Sequence, residues 1–172
     1  NSLVRLGGVP GVDATGQGGL LDVAYQNGWV YFTYSEAGAG GTGTALARGQ
    51  LNGAGTALQN VSVLWRQAPK VVSSIHYGSR IAFRGDGTLY LAVGERGVES
   101  NSGSARSDAS GVQNVANSIG KVLRLNADGS IPGDNPSFGA GAAPGLWSIG
   151  HRNPQGAAVR PGSNELWITE HG

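Results

Sequence analysis

The chain has 172 residues, inside the usual one-domain range of roughly 100–200 and long enough to bury an apolar core of its own. Only 13% of its residues are charged, against roughly 25% in an average soluble domain, and 31 glycines punctuate it; 12 Lys and Arg against 11 Asp and Glu lie scattered, which excludes the basic stripe a nucleic-acid partner requires. No apolar run approaches the roughly 20 residues of a membrane span, and the lack of Cys excludes disulfides, thiolate metal sites and cysteine nucleophiles.

The amino terminus, Asn1-Ser2-Leu3-Val4-Arg5, carries neither a Met nor a signal-peptide pattern, so the expectation is a start trimmed from a longer precursor. Residues 19–36 then read as a hairpin, with β-branched and aromatic residues flanking a Gln26-Asn27-Gly28 turn that tolerates positive φ. Strands are predicted at 44–51, before a turn at Asn52-Gly53, and at 62–66, completing a four-stranded unit. A second hairpin, 79–95, turns at Arg84-Gly85-Asp86-Gly87. After it, a polar insertion from Arg96 to Ser118 suits an active-site loop and a surface loop equally. A strand at 121–125 follows, with a turn at Asp128-Gly129, and a third hairpin, 155–170, turns through Arg160-Pro161-Gly162-Ser163-Asn164. The second strand of each hairpin ends on a glutamate, and Glu36 and Glu170 read as solvated strand-end carboxylates.

Antiparallel units recurring at uneven spacing fit the blades of an all-β propeller better than a sandwich. About two and a half blades are present, whereas a propeller closes with about four to eight. The chain also stops directly after a strand, leaving an edge that proteins normally cover. The expectation is that further chain, before and after, belongs to the native molecule, with self-association as the alternative. Trp29, Trp147, Trp167, Tyr31 and Tyr90 lie on or beside strands and are assigned to blade packing.

In a propeller the loops at one end of the blades converge on a central channel. Three segments occupy the same position before successive hairpins: Gln17, then Ile75-His76-Tyr77-Gly78-Ser79-Arg80, then Gly150-His151-Arg152-Asn153-Pro154-Gln155-Gly156. His, Arg, Asn and Gln gathered there have the ingredients for proton transfer and for holding an anionic, hydrogen-bonding ligand. By spacing alone, His76 is as readily a histidine hydrogen-bonded ahead of a strand, and Arg152 an arginine tying adjacent blades. His151 and His171 read as structural.

The same residues resemble the soluble quinoprotein sugar dehydrogenases, the glucose and aldose sugar dehydrogenases that use pyrroloquinoline quinone (PQQ). The resemblance runs through Gly16-Gln17-Gly18-Gly19-Leu20-Leu21-Asp22, His76-Tyr77-Gly78-Ser79-Arg80 and the stretch from Gly120 to Pro132. It continues through Asp134-Asn135-Pro136, the His151 to Gly156 run and Glu170-His171-Gly172, covering nearly the whole chain in family order.

The resemblance implies a six-bladed propeller with PQQ and calcium in the central cavity, oxidising the anomeric hydroxyl of an aldose to a lactone and passing electrons to an external acceptor. It makes His76 the base that removes the hydroxyl proton, and places Glu95 where the family has an Asp orienting that histidine. Arg152 would face the quinone oxygen, Asn153 and Gln155 would hydrogen-bond the cofactor, Gln17 would contact the sugar, and the Gly172 carbonyl would help bind calcium. The family's proline after that glycine, and its later basic residues, lie beyond the chain, so residues 1–172 alone are expected to be inactive. A periplasmic or secreted setting is implied. The competing expectation, drawn from the missing propeller segments and from the Glu at position 95, is a non-enzymatic propeller module used for binding.

Overall fold

A computed structural model describes residues 5–97 and 111–172. Ten strands form three antiparallel sheets. The first sheet is a meander of β1 (Leu20–Gln26), β2 (Trp29–Gly38), β3 (Gly41–Leu51) and β4 (Leu58–Arg66). The second repeats it with β5 (Gly78–Phe83), β6 (Thr88–Val93), β7 (Lys121–Asn126) and β8 (Leu146–Ile149). The third is the pair β9 (Pro154–Val159) and β10 (Leu166–Glu170). The short β8 was not legible in the sequence, because its four residues follow a glycine-rich connection with no turn signal of their own.

Local chemistry sets the turns. Asn27 and Gly28 both take positive φ, 48° and 83°, and Gln26 pairs directly with Trp29, the arrangement a two-residue hairpin loop requires. In the second hairpin Asp86 Oδ1 accepts from the Thr88 amide and hydroxyl, closing the turn before β6.

The first strands of the sheets lie side by side, β1 against β5 and β5 against β9, as the inner strands of successive blades do around a common axis. Between blades one and two, Tyr31 and Leu46 meet Ile81, Leu89, Leu91, Val93, Leu123 and Leu125, and Tyr31 meets Phe83 edge to face at 4.9 Å. Between blades two and three, Ala82, Tyr90, Ala92 and Val122 meet Ala157, Val159, Leu166 and Ile168. Because β6 is covered on both faces, all six of its residues are buried. Each large apolar side chain there contributes about 1.5–3 kcal/mol by leaving water. The chain is thus part of a β-propeller: two four-stranded blades and the first two strands of a third.

Trp167 stands on the face of β10 opposite the one that packs on blade two, and is 62% exposed in a chain that holds only part of the propeller. Trp29 and Trp147 are part-buried against the two interblade cores, and Tyr31 and Tyr90 are buried within them. At the other end, the outer face of blade one carries Phe32, Tyr34, Ala45, Ala47 and Leu58, against which Leu6, Val9 and Val12 lie. A cavity of ≈ 370 Å³ on that face is almost wholly apolar, and none of the candidate site residues lines it.

Candidate active site

The segment before β5 carries His76 in the left-handed region, φ 52°, where a residue with a side chain is strained. Several contacts hold it there. The His76 amide donates to Gln17 Oε1 at 2.8 Å, and its carbonyl accepts from the Arg96 amide at 3.2 Å. Gly94 makes the close approach possible, since a Cβ on it would sit 2.0 Å from the His76 carbonyl oxygen.

The His76 ring is 8% exposed by residue and its Nδ1 contacts Glu95 Oε1, a carboxylate 1% exposed. A carboxylate can only accept, so the neutral ring donates Nδ1–H and keeps the lone pair on Nε2. Nε2 has no hydrogen-bond partner among the described residues. The longer side chain of Glu95 therefore reaches the nitrogen that an orienting carboxylate must hold.

Glu95 also connects this pair to the third blade, because its amide donates to the Arg152 carbonyl at 2.7 Å. Asn153, 2% exposed, accepts from the Gly78 amide through Oδ1 at 3.2 Å. Arg152 Nη1 donates to the His171 carbonyl at 2.8 Å, and Gly172 lies against the same side chain. A Cβ at Gly172, φ 112°, would come within 2.5 Å of Arg152 Cδ, so the position suits only glycine. Hydrogen bonds thus bring Gln17, His76, Glu95, Arg152 and Asn153 into one connected cluster with Gly172 beside it. Gln155 stands apart: it is exposed on β9, and its carbonyl accepts from Arg80 Nε at 2.6 Å.

Two further residues support this cluster. Arg96, fully buried, stacks on the Tyr77 ring at 3.5 Å and donates to the carbonyls of Ile75, Thr42 and Ser73 and to the Thr42 hydroxyl. It thereby braces the chain on both sides of His76. Burial pulls its pKa below the ordinary arginine value, with Tyr77 and Glu95 acting in the opposite direction. The second is Glu170, whose reading as a solvated carboxylate is corrected. Its Oε1 accepts from the amides of Arg152 and Asn153, and its Oε2 meets His151 Nδ1 at 3.1 Å. Glu36 is corrected likewise, since Lys70 and Arg66 both bind its carboxylate. The middle of the polar insertion, residues 98–110, lies outside the described residues.

A sequence signal for Glu170 does exist. Glu95 follows His76 by the same 19 positions that separate Glu170 from His151. Gln17 stands equally far before Glu36, so the repeat in the fold is also a repeat in the site.

The fold and the cluster together define a class: a β-propeller whose blade ends carry a carboxylate-held imidazole and, linked to it through one backbone hydrogen bond, an arginine. The chain belongs to the glucose/sorbosone dehydrogenase family, whose profile matches residues 1–172. The aldose sugar dehydrogenase YliI of Escherichia coli is 41% identical over 174 residues, which cover 97% of this chain and 44% of that protein. The crystal structure of the soluble aldose sugar dehydrogenase from Escherichia coli in the apo-form superposes with a TM-score of 0.85 at 39% identity, covering 97% of this chain and 47% of that one. The PQQ-bound aldose sugar dehydrogenase of Streptomyces coelicolor superposes with a TM-score of 0.75 at 31% identity, covering 97% and 46%. The chain therefore spans about half the length of these relatives.

Proposed function

We propose that this chain is the part of a PQQ-dependent aldose dehydrogenase that carries the base and the anion-facing arginine. The single observation that carries this reading is the His76–Glu95 contact, which leaves Nε2 of the ring without a protein partner among the described residues, while the Glu95 amide bonds the Arg152 carbonyl. When bound, PQQ supplies the two-electron acceptor and calcium a Lewis acid beside it.

The residues present fit such a group. Among the described residues, Arg152 Nε and Nη2 and Asn153 Nδ2 make no hydrogen bond to protein, so three donors remain for the oxygens of an anionic quinone. No group of three His, Asp or Glu side chains is gathered for a metal ion among the described residues, so calcium here would draw on backbone carbonyls, that of Gly172 among them. Gln155, on the exposed side of β9, would complete the cofactor contacts.

His76 takes the proton of the sugar hydroxyl on Nε2, and the resulting imidazolium is stabilised by the Glu95 carboxylate on its other nitrogen. Arg152 offsets negative charge that develops opposite the substrate. Gln17 already spends Oε1 on the His76 amide, which leaves its Nε2 amide hydrogens to donate to a sugar hydroxyl. The reach of Glu95 to His76 favours this over a non-enzymatic binding module, one motive for which was the unexpected glutamate.

The rest of the propeller and an external electron acceptor are the partners this reading requires, in a periplasmic or secreted setting. Among the described residues no helix is long and apolar enough to cross a membrane. The test is sugar-dependent dye reduction by the full-length protein loaded with PQQ and calcium. Activity abolished in His76→Ala with PQQ still bound supports the assignment. Equal turnover by that variant refutes the base, and failure of the full-length protein to bind PQQ refutes the reading as a whole.

A further inference from the structure

The geometry points to Glu170 as the positioning residue for Arg152 and Asn153, with His151 and Ser148 holding the carboxylate in place. The inference rests on the proposed role of Arg152 but concerns a different group. Glu170 Oε1 accepts from two consecutive amides, those of Arg152 and Asn153. Its Oε2 meets His151 Nδ1 at 3.1 Å, and His151 Nε2 meets the Ser148 hydroxyl at the outer strand of blade two.

The proton assignment follows from the partners. The carboxylate can only accept, so the ring donates Nδ1–H to Glu170 and accepts the Ser148 hydroxyl proton on Nε2. Both ring nitrogens then have protein partners, which leaves His151 no nitrogen to offer a sugar hydroxyl and makes it a brace. A serine, a histidine and a glutamate in this order resemble a nucleophilic triad. The Glu170 carboxylate, however, is shared with two backbone amides, and its neighbours form no oxyanion-binding pair: the His151 amide goes to the Gly120 carbonyl and the Gly150 amide to the Val112 carbonyl.

Glu170 acts on the arginine from one side while Glu95 acts from the other. The Arg152 amide is taken by Glu170 and the Arg152 carbonyl by the Glu95 amide, so two hairpin glutamates fix opposite ends of one residue. The next two residues after Glu170 complete the cradle. The His171 amide donates to the Asn153 carbonyl at 3.1 Å, the His171 carbonyl accepts from Arg152 Nη1, and Gly172 lies flat against the side chain. Without the carboxylate, two adjacent amides lose their acceptor and the peptide that aims Arg152 is free to turn.

The experiment uses the full-length protein with Glu170→Ala, Glu170→Asp and Glu170→Gln. In the apo form, amide hydrogen exchange at Arg152 and Asn153 should accelerate at least tenfold in Glu170→Ala and stay near wild type in Glu170→Gln, whose carbonyl oxygen still accepts both amides. In the PQQ-loaded protein, kcat for an aldose should fall about 10- to 100-fold in Glu170→Ala with KM changed less than threefold, and Glu170→Gln should recover most of it. Wild-type exchange rates in Glu170→Ala overturn the proposal, as does kcat per bound PQQ equal to wild type. Should Glu170→Ala fail to fold, Glu170→Asp carries the test, because its carboxyl is one methylene too short; wild-type exchange and kcat in it are equally fatal. If the wild type binds no PQQ, the exchange measurement still decides the positioning role, while the proposed function falls separately.

Discussion

The pairs His76–Glu95 and His151–Glu170 share residue types, a separation of 19 positions and a place in successive hairpins, yet they differ in what is left over. In the first, the carboxylate takes Nδ1, both side chains are almost fully buried, and Nε2 has no protein partner among the described residues. In the second, the side chains are 14% and 24% exposed, and Ser148 occupies the remaining nitrogen. One repeat unit thus leaves a ring nitrogen without a protein partner in one copy, the proposed base, and occupies both in the other, the proposed brace. Gln17 and Glu36 form the third member. There a glutamine replaces the histidine and reaches across to the His76 amide, and the glutamate turns to Lys70 and Arg66 instead.

The comparison breaks most directly at the two histidines. In the full-length, PQQ-loaded protein, His76→Ala should lower kcat by about 10²–10⁴-fold, the range of a general base, while His151→Ala should cost about tenfold or less. Equal losses in dye-reduction assays would erase the distinction. The next largest effect is expected at Arg96, which serves only the first pair. Arg96→Ala leaves the Ile75 carbonyl without its donor, takes one of two donors from the carbonyls of Thr42 and Ser73 and strips Tyr77 of its stacked partner, and should lower unfolding free energy by about 3 kcal/mol in urea titrations.

The two glutamates sharpen the contrast further. Glu95→Gln should reduce kcat about 10- to 100-fold, because an amide can hold the imidazole in the other tautomer and place the proton on Nε2. Glu170→Gln, whose work is accepting amides, should stay close to wild type in the same assay. The smallest effect concerns Glu36. Burial raises its pKa, but the hydrogen bonds and charges of Lys70 and Arg66 outweigh burial and leave it below the ordinary carboxylate value. A depressed carboxylate contributes stability above its unfolded pKa and loses it as pH falls through the folded one. Glu36→Gln should therefore cost about 1 kcal/mol at neutral pH, with the two melting curves converging as the pH drops below the usual carboxylate range.

Much of the blade pattern was legible because it is written in short-range chemistry. Asn27-Gly28 and Asp86-Gly87 specify their turns through local φ preference and side-chain bonding, and the runs around them read as strands without reference to the rest of the chain. The cluster of Gln17, His76 and Arg152 was legible through position in the repeat. β8 was not, because its four residues are too few to show a pattern of their own. Arg96 follows a strand-end glutamate with nothing local to mark it, and its role depends on carbonyls up to 54 positions away.

By itself the sequence determined the turns, the alternation of strands and the triple repeat of a polar residue followed by a glutamate, because each depends on residues close together in the chain. Tertiary structure decided which carboxylate is buried, which imidazole keeps a free nitrogen and which arginine is held. Those outcomes depend on contacts between blades, such as the Gly78 amide on Asn153 across 75 positions. Burial and hydrogen-bond partnership are properties of the packed blades, and packing draws on residues that no short window of sequence contains.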